Sequence, residues 1–173
     1  MEETVTVEEA IKTAIDFETK VRDTYIEAMK HAVDEVGKRV FKLLASEEQQ
    51  HLDYLGTRLD EWQKTGKITV EGLVTSIPSE KVIRDQVSKL KTHVGEPVRG
   101  SELKQLQKAR EVETETSNFY KKMVEELSDE GQVMFARFVE IEEGHLALVQ
   151  AEIDAVSGLG FWFDIAEFDL EAG

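Results

Sequence analysis

The stretch Glu48-Gln49-Gln50-His51-Leu52 decides how this chain is read, because it returns in the second half as Glu142-Glu143-Gly144-His145-Leu146. In each copy a Glu and a His stand three residues apart, which puts both on one face of a helix. Upstream of each copy lies a second matched stretch. Ala14-Ile15-Asp16-Phe17-Glu18 with Tyr25 beyond it corresponds to Ala109-Arg110-Glu111-Val112-Glu113 with Tyr120 beyond it. Glu18 and Glu113 are 95 residues apart, as are Tyr25 and Tyr120, while the two Glu-x-x-His pairs are 94 apart. The chain reads as a duplicated helical hairpin whose turn differs by one residue between the halves.

Helical periodicity extends outward from these motifs into four long segments. The first opens at a capping box, Thr6 with Glu9, and is expected to run to about Gly37, with Ile11, Ala14, Ile15, Val21, Tyr25 and Met29 at helical spacing. A second is expected from about Lys38 to Thr65, closed by Gly66, a third from Ser101 to about Leu127, and a fourth from Ser128 to Ser157, closed by Gly158. Both prolines, Pro78 and Pro97, fall in the stretch between the second and third segments, so the helices themselves are uninterrupted. Short joins make each pair antiparallel. Residues 66–100 then form a crossover along the length of a bundle, with room for a short helix from Ser79 to about Lys91. The expected fold is all-α, a four-helix bundle over residues 1–158. Residues 159–173 form an aromatic tail carrying Phe161, Trp162, Phe163 and Phe168, expected to pack on the bundle or on a second subunit of a homodimer.

Composition narrows the chemistry. The 173 residues contain no cysteine, which removes thiolate catalysis and sulfur ligation and leaves Glu, Asp and His as the metal ligands. A net charge of −15 repels nucleic acid and anionic membrane and favours cations. The start Met1-Glu2-Glu3-Thr4-Val5 has neither the basic nor the apolar character of a secretory leader, and no stretch of about 18 apolar residues occurs. A cytoplasmic protein with no nucleic-acid or membrane partner is expected.

Glu18, Glu48, His51, Glu113, Glu142 and His145 all continue the apolar stripes of their helices, so they face the interior. Four ionised carboxylates there would carry a large desolvation and repulsion cost unless something neutralised them. Two divalent ions match their charge. Oxygen donors with one imidazole per ion suit iron or manganese and admit zinc, and leave positions open to oxygen, peroxide or water. The competing expectation for a lone buried Glu is an ion pair, and Arg22 and Arg110 stand one turn from Glu18 and Glu113. Tyr25 and Tyr120, two turns beyond a ligand Glu, are expected to donate to a metal-bound carboxylate. Glu47 adjoins Glu48, but the duplication and the spacing favour Glu48. His31 and His93 lie outside the pattern and are expected at the surface.

This ligand pattern is that of the ferritin-like di-iron and di-manganese carboxylate proteins. Up to about Gly158 the chain resembles that superfamily, and the Glu18 to Tyr25 and Phe119-Tyr120 contexts resemble the rubrerythrin family most. The resemblance implies a non-haem centre of two iron ions, held by Glu18, Glu48, His51, Glu113, Glu142 and His145, that reduces hydrogen peroxide and is re-reduced by an electron donor. Rubrerythrins carry a four-cysteine rubredoxin domain, and these residues contain no cysteine, so an external donor is implied, an electron donor protein or a small molecule. They also carry a further carboxylate three residues from the third-helix ligand, where this chain has Arg110 and Thr116. Two other expectations stand beside this one: a ferritin-like ferroxidase that takes oxygen and handles iron, and a metal-free helical module whose inner polar residues pair with one another.

Overall fold

The computed structural model describes residues 3–88, 100–158, 160 and 162, and contains no strand among them. Four long helices and one short one follow in order: α1 (Val7–His31), α2 (Glu35–Thr65), α3 (Glu80–Val87), α4 (Gly100–Glu126) and α5 (Asp129–Gly158). At 1.5 Å per residue α2 is about 46 Å long, a length suited to a bundle. No described helix is long and apolar enough to cross a membrane.

Local chemistry sets the ends. Thr6 and Glu9 form the reciprocal capping box at the start of α1, and Gly66 closes α2 in the left-handed conformation at φ 68°. The first turn differs from expectation. It lies at Ala32-Val33-Asp34, with Asp34 capping α2 through the Val36 amide at 2.8 Å. Glu102, at the start of α4, accepts the amides of Val33 (2.6 Å) and Asp34 (3.0 Å) and so fixes that turn. Gly37 sits inside α2, where a Cβ would come within 2.7 Å of the Trp162 ring. Its small size makes room for the tail; it does not end a helix. Trp162 is buried, donates from Nε1 to Glu102 at 3.0 Å and meets Phe41 edge-on at 5.2 Å, so this residue of the tail packs on the helices. Leu159, Phe161 and residues 163–173, with the rest of the expected tail, lie outside the described residues. So do residues 89–99, with His93, Pro97 and the expected end of the short helix. At the far end of α5, Gly160 adopts φ 80° and its amide reaches the Ala155 carbonyl.

Helix α1 packs on α2 and on α4, α4 on α5, and α3 on α5. Their buried side chains form two separate apolar cores. One holds Ala10, Ile11 and Ala14 of α1, Leu55 of α2, Tyr120 and Met123 of α4, and Met134, Phe135 and Phe138 of α5. The other holds Val21, Tyr25 and Ala28, then Phe41 and Leu44, then Leu106 and Ala109, then Leu148 and Val149. The order in which each helix meets these cores gives its direction: α1 and α5 run one way, α2 and α4 the other. Because α2 and α4 are parallel, their connection must travel the length of the helices. Accordingly Ile68 and Leu73 lie in the first core, while Ile77 and Ile83 lie in the second.

The crossover passes α5 closely at Gly144, where a Cβ would stand 2.9 Å from the Pro78 carbonyl oxygen. Backbone cannot yield as a side-chain tip can. Gly144→Ala is therefore expected to destabilise the fold by about 1–3 kcal/mol, despite the roughly 1 kcal/mol that Ala gains over Gly in a helix. Urea unfolding measures this, and a variant as stable as the parent would show that the crossover is not seated there.

Candidate metal centre

Between the two cores each long helix turns a polar group inward. Glu18 comes from α1, Glu48 and His51 from α2, Glu113 from α4, and Glu142 and His145 from α5, and all six are 0 % exposed. The two imidazoles stack with centroids 5.3 Å apart and planes 7° apart. His51 Nδ1 lies 3.1 Å from Glu48, 3.3 Å from Glu18 and 3.4 Å from Glu142, in hydrogen-bonding geometry to none of them. His145 Nδ1 lies 2.8 Å from Glu48 and 3.5 Å from Glu113.

Two four-residue groups result, Glu18, Glu48, His51 and Glu142 in one, and Glu48, Glu113, Glu142 and His145 in the other, each with ligand atoms within 4.8 Å of one another. Glu48 and Glu142 belong to both. The expected cationic partners stay away. Arg22 binds Gln49 and Asp23, and Arg110 binds Gln150, all on the outside of the helices.

Electrostatics divides the carboxylates into two kinds. Burial, then the charges of Glu18 and Glu113, pushes Glu48 up to about 8. Burial and the surrounding carboxylates likewise raise Glu142 well above its ordinary range. For Glu113 burial also pushes upward, but contact with Glu142 and with His145 outweighs it and brings the group to about 2. Glu18 is lowered too, the charge of His51 prevailing over burial. Burial favours neutral imidazoles, but the neighbouring carboxylates win, and both His51 and His145 are raised. Without an ion, the two shared carboxyls and the two imidazoles hold protons that a cation would displace.

The tyrosines are crossed between the halves. Tyr25 donates to Glu113 Oε1 at 2.6 Å, and Tyr120 donates to Glu18 Oε1. Burial, followed by the charges of these carboxylates, raises both phenols, so both stay neutral donors. Each engages one oxygen only. Glu18 Oε2 and Glu113 Oε2 are left buried without a hydrogen-bond partner, as are Glu48 Oε2, both oxygens of Glu142 and Nε2 of both His51 and His145.

Glu47, which sequence reasoning set aside, is buried at 1 % exposure. It accepts the Thr75 hydroxyl (2.6 Å), the Ser76 amide (2.9 Å) and the Ser76 hydroxyl (2.6 Å), and its Oε2 lies 3.5 Å from His145 Nε2. Burial raises it, but these contacts, that with His145 largest, bring it down to about 2. The donors sit in the crossover, so only an unusual second Glu beside the motif pointed to it. His31 is exposed and pairs with Glu27, as expected.

No family model, curated protein or solved structure matches the chain. The residues themselves carry the chemical reading. Carboxylate oxygens and imidazole nitrogens converge in three overlapping sets, the third being Glu47, His51 and His145, and buried atoms within them lack partners. That donor set could hold a pair of divalent first-row metal ions.

Proposed function

We propose that the chain is a rubrerythrin-like, ferritin-like di-iron oxidoreductase that reduces hydrogen peroxide with electrons from an external donor protein. The observation that carries this is the sharing of Glu48 and Glu142 between two otherwise separate ligand groups, since shared carboxylates hold two ions side by side. When bound, two iron ions would supply the two electrons that hydrogen peroxide takes up, with two protons, on becoming two waters. Manganese or zinc would fit the same donors; zinc could not supply the electrons. A cytoplasmic location and a homodimer belong to the same proposal.

The protein's own residues have distinct tasks. Glu18 with His51 would hold one ion and Glu113 with His145 the other, with Glu48 and Glu142 available to both. Tyr25 and Tyr120 each fix one oxygen of a terminal carboxylate and leave the other for the ion. Full burial of all six groups excludes a bulky substrate.

Stopped-flow oxidation of the reduced, iron-loaded protein tests the reading. Hydrogen peroxide is expected to oxidise it much faster than oxygen, at about one peroxide per pair of ions, and turnover should stop until a donor is added. Preference for oxygen, with ferrous iron consumed far beyond two per chain and retained, would replace this reading with a ferroxidase.

A further inference from the structure

We infer that the two metal positions are unequal: the ion at Glu113 and His145 is held tightly, and the ion at Glu18 and His51 is the exchangeable one, because the Glu47 carboxylate stands against Nε2 of His145. This rests on the two-metal reading above.

The duplication gives nearly every feature of the centre a counterpart. Each position has one terminal Glu, one His, one tyrosine donor from the other half, and the same two shared carboxylates. The residue before the Glu-x-x-His motif breaks the match, being Glu47 in the first half and Ile141 in the second. Thr75 and Ser76 occupy three of the roughly four acceptor directions of the Glu47 carboxylate. Its Oε2 lies 3.5 Å from His145 Nε2, close but outside hydrogen-bonding geometry.

Ile141 offers no acceptor. Neither Nε2 makes a hydrogen bond, but among the described residues only that of His145 has a carboxylate standing close to it, and the His51 ring instead meets the edge of Phe138 at 5.4 Å. In both rings Nδ1 faces the carboxylate cluster, so coordination there leaves the proton on Nε2. A carboxylate that accepts this proton fixes the tautomer and strengthens the ligand, and losing such a partner typically costs about 10- to 100-fold in metal affinity. A small closing of the 3.5 Å gap to Glu47 would satisfy this proton at His145, whereas at His51 it would stay unsatisfied, which weakens that position further.

Titration of the metal-free, full-length chain with Zn²⁺ against a competing chelator, with the histidine ring ¹⁵N signals followed at each step, tests the inference. Two ions should bind in steps separated by about 10- to 100-fold, with His145 shifting in the first and His51 in the second. Glu47→Gln should weaken the first step by that factor and leave the second and the total unchanged. The order of ring shifts in the unmodified chain needs no variant, so a poorly folded Glu47→Gln protein does not shield the inference. Two ions of equal affinity, or His51 shifting first, would overturn it while sparing the two-metal reading. A third ion lost in Glu47→Gln would also overturn it, assigning Glu47, His51 and His145 to a site of their own. Fewer than two ions would bring down both.

Discussion

Glu48→Ala is expected to lose both metal ions, whereas Glu18→Ala should lose one. Glu48 belongs to both ligand groups and Glu18 to one, so the first substitution opens both positions together. Glu142→Ala should behave like Glu48→Ala, and Glu113→Ala like Glu18→Ala. Because an ion bound only by the native state stabilises it in proportion to the logarithm of its concentration over Kd, loss of both should remove at least about 4 kcal/mol when metal exceeds Kd a thousandfold. Metal analysis of the purified variants, with thermal melts, measures both quantities. Two ions retained in Glu48→Ala would exclude it as a shared ligand.

Metal removal should also invert the pH dependence of stability. In the metal-free protein Glu48 is raised from 4.5 to about 8, and Glu142, His51 and His145 are raised as well. A group whose folded-state pKa is raised contributes stability that is full below its unfolded pKa and disappears as pH climbs through the folded one. For Glu48 that window runs from about 4.5 to about 8. One such proton held from pH 5 to 8 amounts to about 4 kcal/mol, or a fall in Tm on the order of 10 °C. Glu113, depressed to about 2, acts in the other direction, and its contribution is lost as pH drops from 4.5 through 2. The metal-free chain should therefore be most stable near pH 5. The loaded chain should resist the rise to pH 8, where ions replace those protons, and should lose them in acid. Melts of both forms from pH 4 to 9 would decide it; a metal-free Tm that holds or rises between pH 5 and 8 would contradict the account.

The six inward groups were legible because two independent periodicities met in them, the three-residue spacing within a helix and the offset between halves. The tyrosines were legible as donors for the same reason. Which carboxylate each would reach was not, because it depends on how α1 lies against α4, and the donors proved to cross between halves. Glu47 was hidden since its burial comes from Thr75 and Ser76 in the crossover, where no periodicity reaches. The first turn was misplaced because Gly37 resembles a helix end, whereas its size answers to Trp162, 125 positions further on. The amides of the real turn, Val33 and Asp34, answer to Glu102, 69 and 68 positions further on. Local rules mark where a helix is able to stop. Here distant side chains decided where it did.

The sharing of one carboxylate in each direction has a consequence for how the protein is made. On the proposed assignment the first position draws Glu18, Glu48 and His51 from the amino-terminal hairpin but needs Glu142 from α5, and the second needs Glu48 from α2. A nascent chain that has completed α1 and α2 therefore owns neither position in full. From Thr65, the end of α2, 77 further residues must be synthesised before the fourth ligand of the first position exists. On that assignment ion capture would follow translation of α5, and the freshly finished polypeptide would first pass through an ion-free state.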